Sequence, residues 1–396
     1  MLGLLHQALS IDLVLRLQAR KRKTLSDQLP NFATRFVVRP PNNPKIVTPR
    51  HGNSKKSNRP GKIIGFTLKT LAVGLGAILA ITGVTAIDVY NQINQDNIVL
   101  VKPIVSDDDD NQPIETPEGI SGPINMLIVG SDTREGQGGE FGDVESELAD
   151  VIMLLHVSED RTNASVVSFP RDLMVPIPSC PNPKGGSFSA MSRQMINSSI
   201  GYGGVACTHL TVQNLTGLNI PYLAMIDFQG VIEMSNAVGG VEVFIEKKIS
   251  DPYTGLSLNA GANTLKGRNA LAFLRARKGI GDGSDLNRIS NQQLFLRSLF
   301  EKVKSEGVLN NPIYLYSLAS AAARNMRLSE SMSDLGTMFN LASALKDVDP
   351  AKLAFLRFPV RGATGVGEAG RLEPIPSEAD RLFTQIRNDV PVSAMD

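Results

Sequence analysis

The longest feature in the hydrophobic pattern is the run from Thr70 to Ile87, TLAVGLGAILAITGVTAI, which holds no charge. It extends back to Ile63 with only Lys69 intervening. A helix of roughly 20 apolar residues crosses a bilayer, and a lysine near one end can reach the interface. The pattern therefore predicts a membrane-spanning helix over residues 63–87. Farther on, the apolar stretches are short and bounded by turn residues. INMLIVG, DVIMLLHVS and ASVVSF read as strands, the last two joined as a hairpin through the polar turn EDRTN. PYLAMIDF, VEVFI and KLAFLRFPV read as further strands. Helical spacing predicts FQGVIEMSNAV, closed by Gly239-Gly240, then Lys266 to Leu274, Asp285 to Lys304 and much of 312–345. Mixed elements of this kind imply helices packed on a central mixed sheet.

Charge sets the orientation. Residues 1–62 carry thirteen Lys or Arg against Asp12 and Asp27, whereas Asp107 to Asp110 follow the apolar run. The positive-inside rule puts the N-terminus in the cytoplasm and everything after Asp88 outside. The long basic arm favours an uncleaved single-pass anchor over a buried core helix or a cleaved signal, although Val84-Thr85-Ala86 loosely mimics a cleavage site. Met1 to Lys23 has amphipathic character that suits either an inner-leaflet helix or a topology-setting tail, and residues 31–62 read as disordered. Residues 88–122, with Pro103, Pro113, Pro117 and the aspartate run, read as an extracellular linker. The folded region is expected to begin near Pro123, with residues 123–305 as its main part and 306–396 completing or flanking it.

Two cysteines, Cys180 and Cys207, fall on the outer side, where an even pair suggests a disulfide; two buried thiols are the alternative. The scattered histidines form no zinc-ligand pattern. No helix-turn-helix or other nucleic-acid reading module accompanies the basic arm, so no nucleic-acid partner is expected.

Strand direction gathers the chemistry. If the first strand pairs antiparallel with the second, and the second with the third, then Asp132, Arg134, Asp150 and Arg171 all meet at one sheet edge. FLRARKGIGDGSDLNRISNQQ adds Arg275 and Arg277, which share a face if the backbone is extended there. It also adds Asp285 at a helix start, and Arg288 and Gln292 on one side of that helix. Several guanidinium forks with a few carboxylates suit phosphate binding and, with magnesium, phosphoryl transfer. Surface salt bridges are the plain alternative for each residue singly; concentration at strand ends favours an anion site. No P-loop or G-x-S-x-G elbow is present.

The ordered set NMLIVGSDTR, LADVIMLLHVS, VVSFPRDLMVPIP, INSSIGYGG, YLAMIDFQGVIEMSNAVGGVEV and LKGRNALAFLRARKGIGDGSDLNRISNQQ resembles the LytR-CpsA-Psr family over about residues 123–305. The cysteine pair is similar to that of actinobacterial members. The resemblance implies a three-layer α-β-α sandwich on the outer face of a Gram-positive membrane, with an apolar tunnel for a lipid chain. It implies transfer of a glycopolymer from a polyprenyl-pyrophosphate carrier to peptidoglycan through a phosphodiester. By motif, Asp132 and Asp150 would hold Mg2+ (or Mn2+). Arg134, Arg171, Arg275, Arg277 and Arg288 would grip the phosphates with help from Gln292. Asp285 would position Arg288 or act on the acceptor hydroxyl, and Asp150 is a candidate base. A lipid-pyrophosphate hydrolase and a non-catalytic glycan or lipid binder or membrane-tethered regulator are the rival functions. Two departures stand out: Asn291 occupies a place where the family usually has arginine, and Ser284-Asp285 replaces its usual paired aspartates, with Asp282 displaced earlier. The aliphatic content of VIMLLHV and YLAMIDF suits a tunnel and a packed core equally.

Overall fold

The structure, a computed structural model, describes residues 97–100, 120–132, 148–182, 184–277, 285–365 and 367–392. The basic arm, the apolar run at 63–87 and most of the linker lie outside the described residues. Among the described residues no helix is long and apolar enough to cross a membrane.

Six strands form the central sheet: β1 (Ile124–Ser131), β2 (Ala149–Val157), β3 (Ala164–Phe169), β4 (Tyr222–Ile226), β5 (Arg327–Leu328) and β6 (Leu353–Arg357). Their order is β5-β4-β1-β2-β3-β6. Strands β1, β2 and β3 run alternately up and down, while β4 is parallel to β1 and β6 is parallel to β3. The sheet is therefore mixed. Its middle strands are apolar at nearly every position because helices cover both faces. Helices α1 (Ser199–Thr216) and α7 (Pro376–Arg387) pack on one face. On the other lie α4 (Asp285–Ser305), α5 (Pro312–Asn325) and α6 (Leu335–Ala344). Between β4 and α4 come α2 (Phe228–Ala237) and α3 (Arg268–Arg275).

Period-two alternation divides each strand between these faces. In β1, Leu127 and Val129 join the core under α1 and α7, while Met126 and Ile128 turn to the other side. The first core is closed by Phe169, Phe358 and Phe383, with ring centroids 5.2 to 6.3 Å apart. Helix ends follow local chemistry: the Asp227 carboxylate accepts from Gly230 N at 2.7 Å at the start of α2. At the start of α5, Asn311 Oδ1 accepts from Ile313 N at 3.0 Å, with Pro312 at the first turn.

One expectation changes and two gain detail. The segment read as linker contributes to the fold at 97–100: Ile98 is only 5% exposed and pairs with Ser329 just beyond β5. A two-residue edge strand leaves backbone groups to be satisfied, and Ile98 supplies them through Ile98 N to Leu328 O and Glu330 N to Ile98 O. VEVFI is a strand outside the central sheet, paired with Gly261–Leu265 instead. The helical pattern over 312–345 is broken by β5. The region after residue 305 completes the sheet, since both β5 and β6 come from it.

Cys180 and Cys207 are bonded across a separation of 27 residues. Cys207 stands within α1. That helix escapes the sequence pattern because Gly203 and Gly204 interrupt it and its apolar positions follow no clear face. A Cβ on Gly203 would come within 2.9 Å of Cys180 Cβ and 3.1 Å of Cys207 Cβ, so only glycine lets the bridge lie against the helix. Closing a loop of this length removes about 3.5 kcal/mol of unfolded-state entropy. Reduction, or Cys180→Ser with Cys207→Ser, is expected to lower Tm by roughly 10 °C; a calorimetric scan checks it.

Candidate active site

The site begins with a defect in the β1–β2 ladder. Gly130 pairs with Val151, but the next residue, Ser131, pairs with Ala149. Asp150 is the extra residue of a bulge, a device that redirects a side chain at a sheet rim. Gly130 permits it, because a Cβ there would sit 2.9 Å from Val151 Cβ.

Two arginines converge on Asp150. Arg171 Nη1 donates to Asp150 Oδ1 at 2.7 Å, from the loop after β3. Arg288, in the first turn of α4 and 4% exposed, places Nη1 3.4 Å from the same oxygen. Its Nη2 donates to the Asp150 carbonyl at 2.8 Å. Arg288 thus holds both the carboxylate and the backbone of the bulged residue. Burial, the largest single influence, pushes the Asp150 carboxyl up; Arg288, Arg171 and Arg277 together outweigh it and hold the carboxyl below its ordinary value. Asp132 lies at the end of β1, where its Oδ1 accepts from Leu148 N at 2.7 Å. Asp132, Asp150 and Arg171 thus lie at one edge of the sheet, as the strand directions predict. Arg134 and Asp282 lie outside the described residues. Asp285 begins α4 as expected; its side chain is outside the description.

The opposite wall is built differently from the extended segment anticipated. Arg275 is the last residue of α3, because the apolar spacing of Ala270, Leu271 and Phe273 carries the helix that far; extended backbone starts only at Ala276. The Arg275 guanidinium carbon lies 4.2 Å from the centre of the Phe228 ring. The Arg277 N–H donates to Asp251 Oδ2 at 2.9 Å. Two amides of α4 fasten this segment: Gln292 Nε2 donates to Leu274 O at 3.1 Å, and Asn291 Nδ2 to Ala276 O at 3.3 Å. Gln292 therefore positions the arginine-bearing backbone with the group expected to contact phosphate. Asn291 does the same, which gives the departure at this position a structural role.

A cavity of about 360 Å3 opens beneath these charges. Asp150, Arg275, Arg288 and Gln292 lie at its polar end, and Ile128, Met153, Phe295, Leu299, Val303 and Leu318 are among its apolar walls. From Arg288 to Val303 it follows α4 for fifteen residues, about 22 Å at 1.5 Å per residue. Strand alternation resolves the double reading of the aliphatic strands. Val151, Met153, Ile226 and Phe228 line the cavity, whereas Ile152, Leu154, Leu223 and Met225 fill the core on the other side. Neither His156 nor His209 lines it; His156 bonds Asn125 and Asp389, and His209 bonds Ile220 O.

Arg371 is not visible from the sequence as a site residue, and Asp172, which the sequence places beside Arg171 at the end of the third strand, gains its role only here. Asp172 Oδ2 lies 3.7 Å from Arg171 Nε, and Asp172 Oδ1 accepts from Arg371 Nη1 at 3.1 Å. Adjacency to Arg171 is the sequence signal for Asp172; Arg371 arrives from 199 positions later by tertiary folding.

A LytR-CpsA-Psr family model matches residues 93–380. The cell wall biosynthesis protein LcpA of Corynebacterium glutamicum is 30% identical over 286 residues, covering 65% of this chain and 54% of LcpA. The polyisoprenyl-teichoic acid–peptidoglycan teichoic acid transferase TagT of Bacillus subtilis is 27% identical over 236 residues, covering 58% of this chain and 67% of TagT. The chain thus spans about half the length of LcpA. Among solved structures, protein gbs0355 of Streptococcus agalactiae superposes with a TM-score of 0.56 at 21% identity, covering 68% of this chain and 88% of that one, which establishes a common fold.

Proposed function

The chain belongs to the LytR-CpsA-Psr family, and on that premise we propose that it transfers a glycopolymer from a polyprenyl-pyrophosphate carrier to peptidoglycan through a phosphodiester. One observation carries the reading: an apolar cavity lined by α4 from Arg288 to Val303 has Asp150, Arg275 and Arg288 at one end. That shape and polarity suit an amphiphile with a long hydrocarbon and a compact anionic head. A hydrocarbon alone would not need the arginines, and a soluble phosphate ester would not need the slot. The name of TagT, a polyisoprenyl-linked polymer transferase, supports the same reading.

In this proposal Arg171, Arg275 and Arg288, with Arg134 and Arg277, bind the pyrophosphate oxygens, and the apolar walls exclude water from the carrier. A sugar hydroxyl attacks the phosphorus nearest the polymer sugar in line. The new O–P bond forms as the pyrophosphate P–O bond breaks, and polyprenyl phosphate leaves. Arginine partners that depress Asp150 make it a poor proton acceptor and a good charge organiser. In this reading Asp285, by its place in the family motif, accepts the hydroxyl proton. Asp132 and Asp150, at adjacent ends of antiparallel strands, would hold a magnesium ion. When bound, that ion neutralises charge on the pyrophosphate. Residues 63–87 form a single membrane span in this proposal, with residues 1–62 cytoplasmic and the described body outside.

The test is an assay of the full chain with a polyprenyl-pyrophosphate glycan and peptidoglycan. A polymer–peptidoglycan conjugate, formed together with polyprenyl phosphate, is the expected result. Polyprenyl phosphate with no conjugate would make the protein a hydrolase; bound but unchanged substrate would make it a binder.

A further inference from the structure

Away from the site, the first two turns of α5 carry large apolar side chains into solvent. Ile313 is 75% exposed, Tyr314 58% and Tyr316 40%, and Phe339 on α6 is 39% exposed. No charged residue occurs between Glu306 and Arg324. Exposed large aromatic and aliphatic side chains clustered in the first turns of one helix mark an interaction face. Tyrosine with an apolar body and a polar tip suits the boundary between water and lipid.

Chain length points to the occupant. From Ile87, the end of the apolar run, to Ile98, which is fixed beside β5, there are eleven residues, a reach of at most about 40 Å. A folded body of this size is about 50 Å across. A body on such a tether must keep one face close to the bilayer. Ile98 pairs just after β5, which itself follows the end of α5; Tyr314 lies about 17 Å back along that helix, within range of the tether.

Orientation agrees. The end of α5 is level with the charged rim, since Arg327 of β5 pairs with Met225, one residue before Ile226, which pairs with Gly130. The start of α5 therefore faces the opposite way, about 20 Å from the rim. Leu318, which lines the cavity, is four residues after Tyr314 and shares its face of α5. The apolar wall of the cavity thus continues outward to the exposed patch.

We propose that Ile313, Tyr314 and Tyr316 dock on the lipid bilayer surface, holding the charged rim away from the membrane and the deep end of the cavity toward it. This rests on residues 63–87 spanning the membrane. The chain has no tryptophan, so a single introduced one reports its own surroundings. Full-length Tyr314→Trp is reconstituted in phosphatidylcholine vesicles with and without brominated phosphatidylcholine. Tyr253→Trp, at a 75% exposed position on the turn after Asp251, is the reference. Tyr314→Trp emission is expected to be blue-shifted and quenched at least twofold more than the reference. Equal quenching in protein that floats with the vesicles overturns the docking proposal while leaving the anchor intact. Failure to float overturns both the anchor and the docking built on it. A blue shift that grows with protein concentration, without bromine quenching, assigns the patch to a second copy of the chain and also overturns the proposal.

Discussion

Arg288→Ala is expected to reduce turnover of a polyprenyl-pyrophosphate substrate by about a thousandfold or more, the scale of removing an arginine that stabilises phosphoryl transfer. Arg288 is buried at the mouth of the cavity and makes two kinds of contact with Asp150, to its carboxylate and to its carbonyl. Alanine removes a cation from the phosphate site and frees the bulged backbone that aims Asp150. Arg288→Lys keeps the charge without the fork, so it should recover only a small part of the rate. Initial rates with each variant decide the matter. A loss below tenfold for alanine would place Arg288 in structure alone. Circular dichroism of the same preparations shows whether the fold survives.

Asp150→Asn should cost about 3 kcal/mol of stability at pH 7 as well as most of the activity. Removing one member of a buried ion pair costs about 3–5 kcal/mol because its partner is left uncompensated. The low end applies here, since the Asp150 side chain is 24% exposed and its pairing with Arg171 is partly screened. The sign of the pH effect follows from the direction of the shift. The Asp150 carboxyl is held below its ordinary value of 3.8. Its contribution is therefore complete above that value and declines as pH falls through the folded-state value. Urea unfolding at pH 7 should separate the variant from the parent, and at strongly acidic pH the two should converge. Equal stability at pH 7 would show that the two arginines do not depend on this carboxylate.

Much of this site was legible because strand direction is legible. Three apolar runs with a short turn between the last two suffice to bring Asp132, Asp150 and Arg171 to one edge. Other features depend on quantities that a run of residue types does not carry. The bulge at Asp150 depends on register, and one extra residue in a ladder leaves no compositional mark. Asp251 receives the Arg277 N–H from 26 positions away, and nothing around it in the chain distinguishes it from a turn aspartate. The end of α3 fell one residue later than the pattern suggested, which moved Arg275 from an extended segment to a helix terminus. Asn291 gained a function only once its partner, the Ala276 carbonyl, was known.

The alternation of β1, β2 and β4 between a fully packed face and one that is part core and part cavity wall separates what can vary from what must persist. Ile128 and Val151 are only partly buried and line the cavity, so replacing one with another aliphatic residue of similar size reshapes the cavity wall with less disturbance of packed material. Leu127 and Ile152, their immediate neighbours in the chain, are enclosed by other side chains, where the same replacement leaves a void or a clash. Successive positions of one strand thus evolve under different rules. A lineage can retailor its ligand through every second residue while the intervening ones keep the scaffold constant.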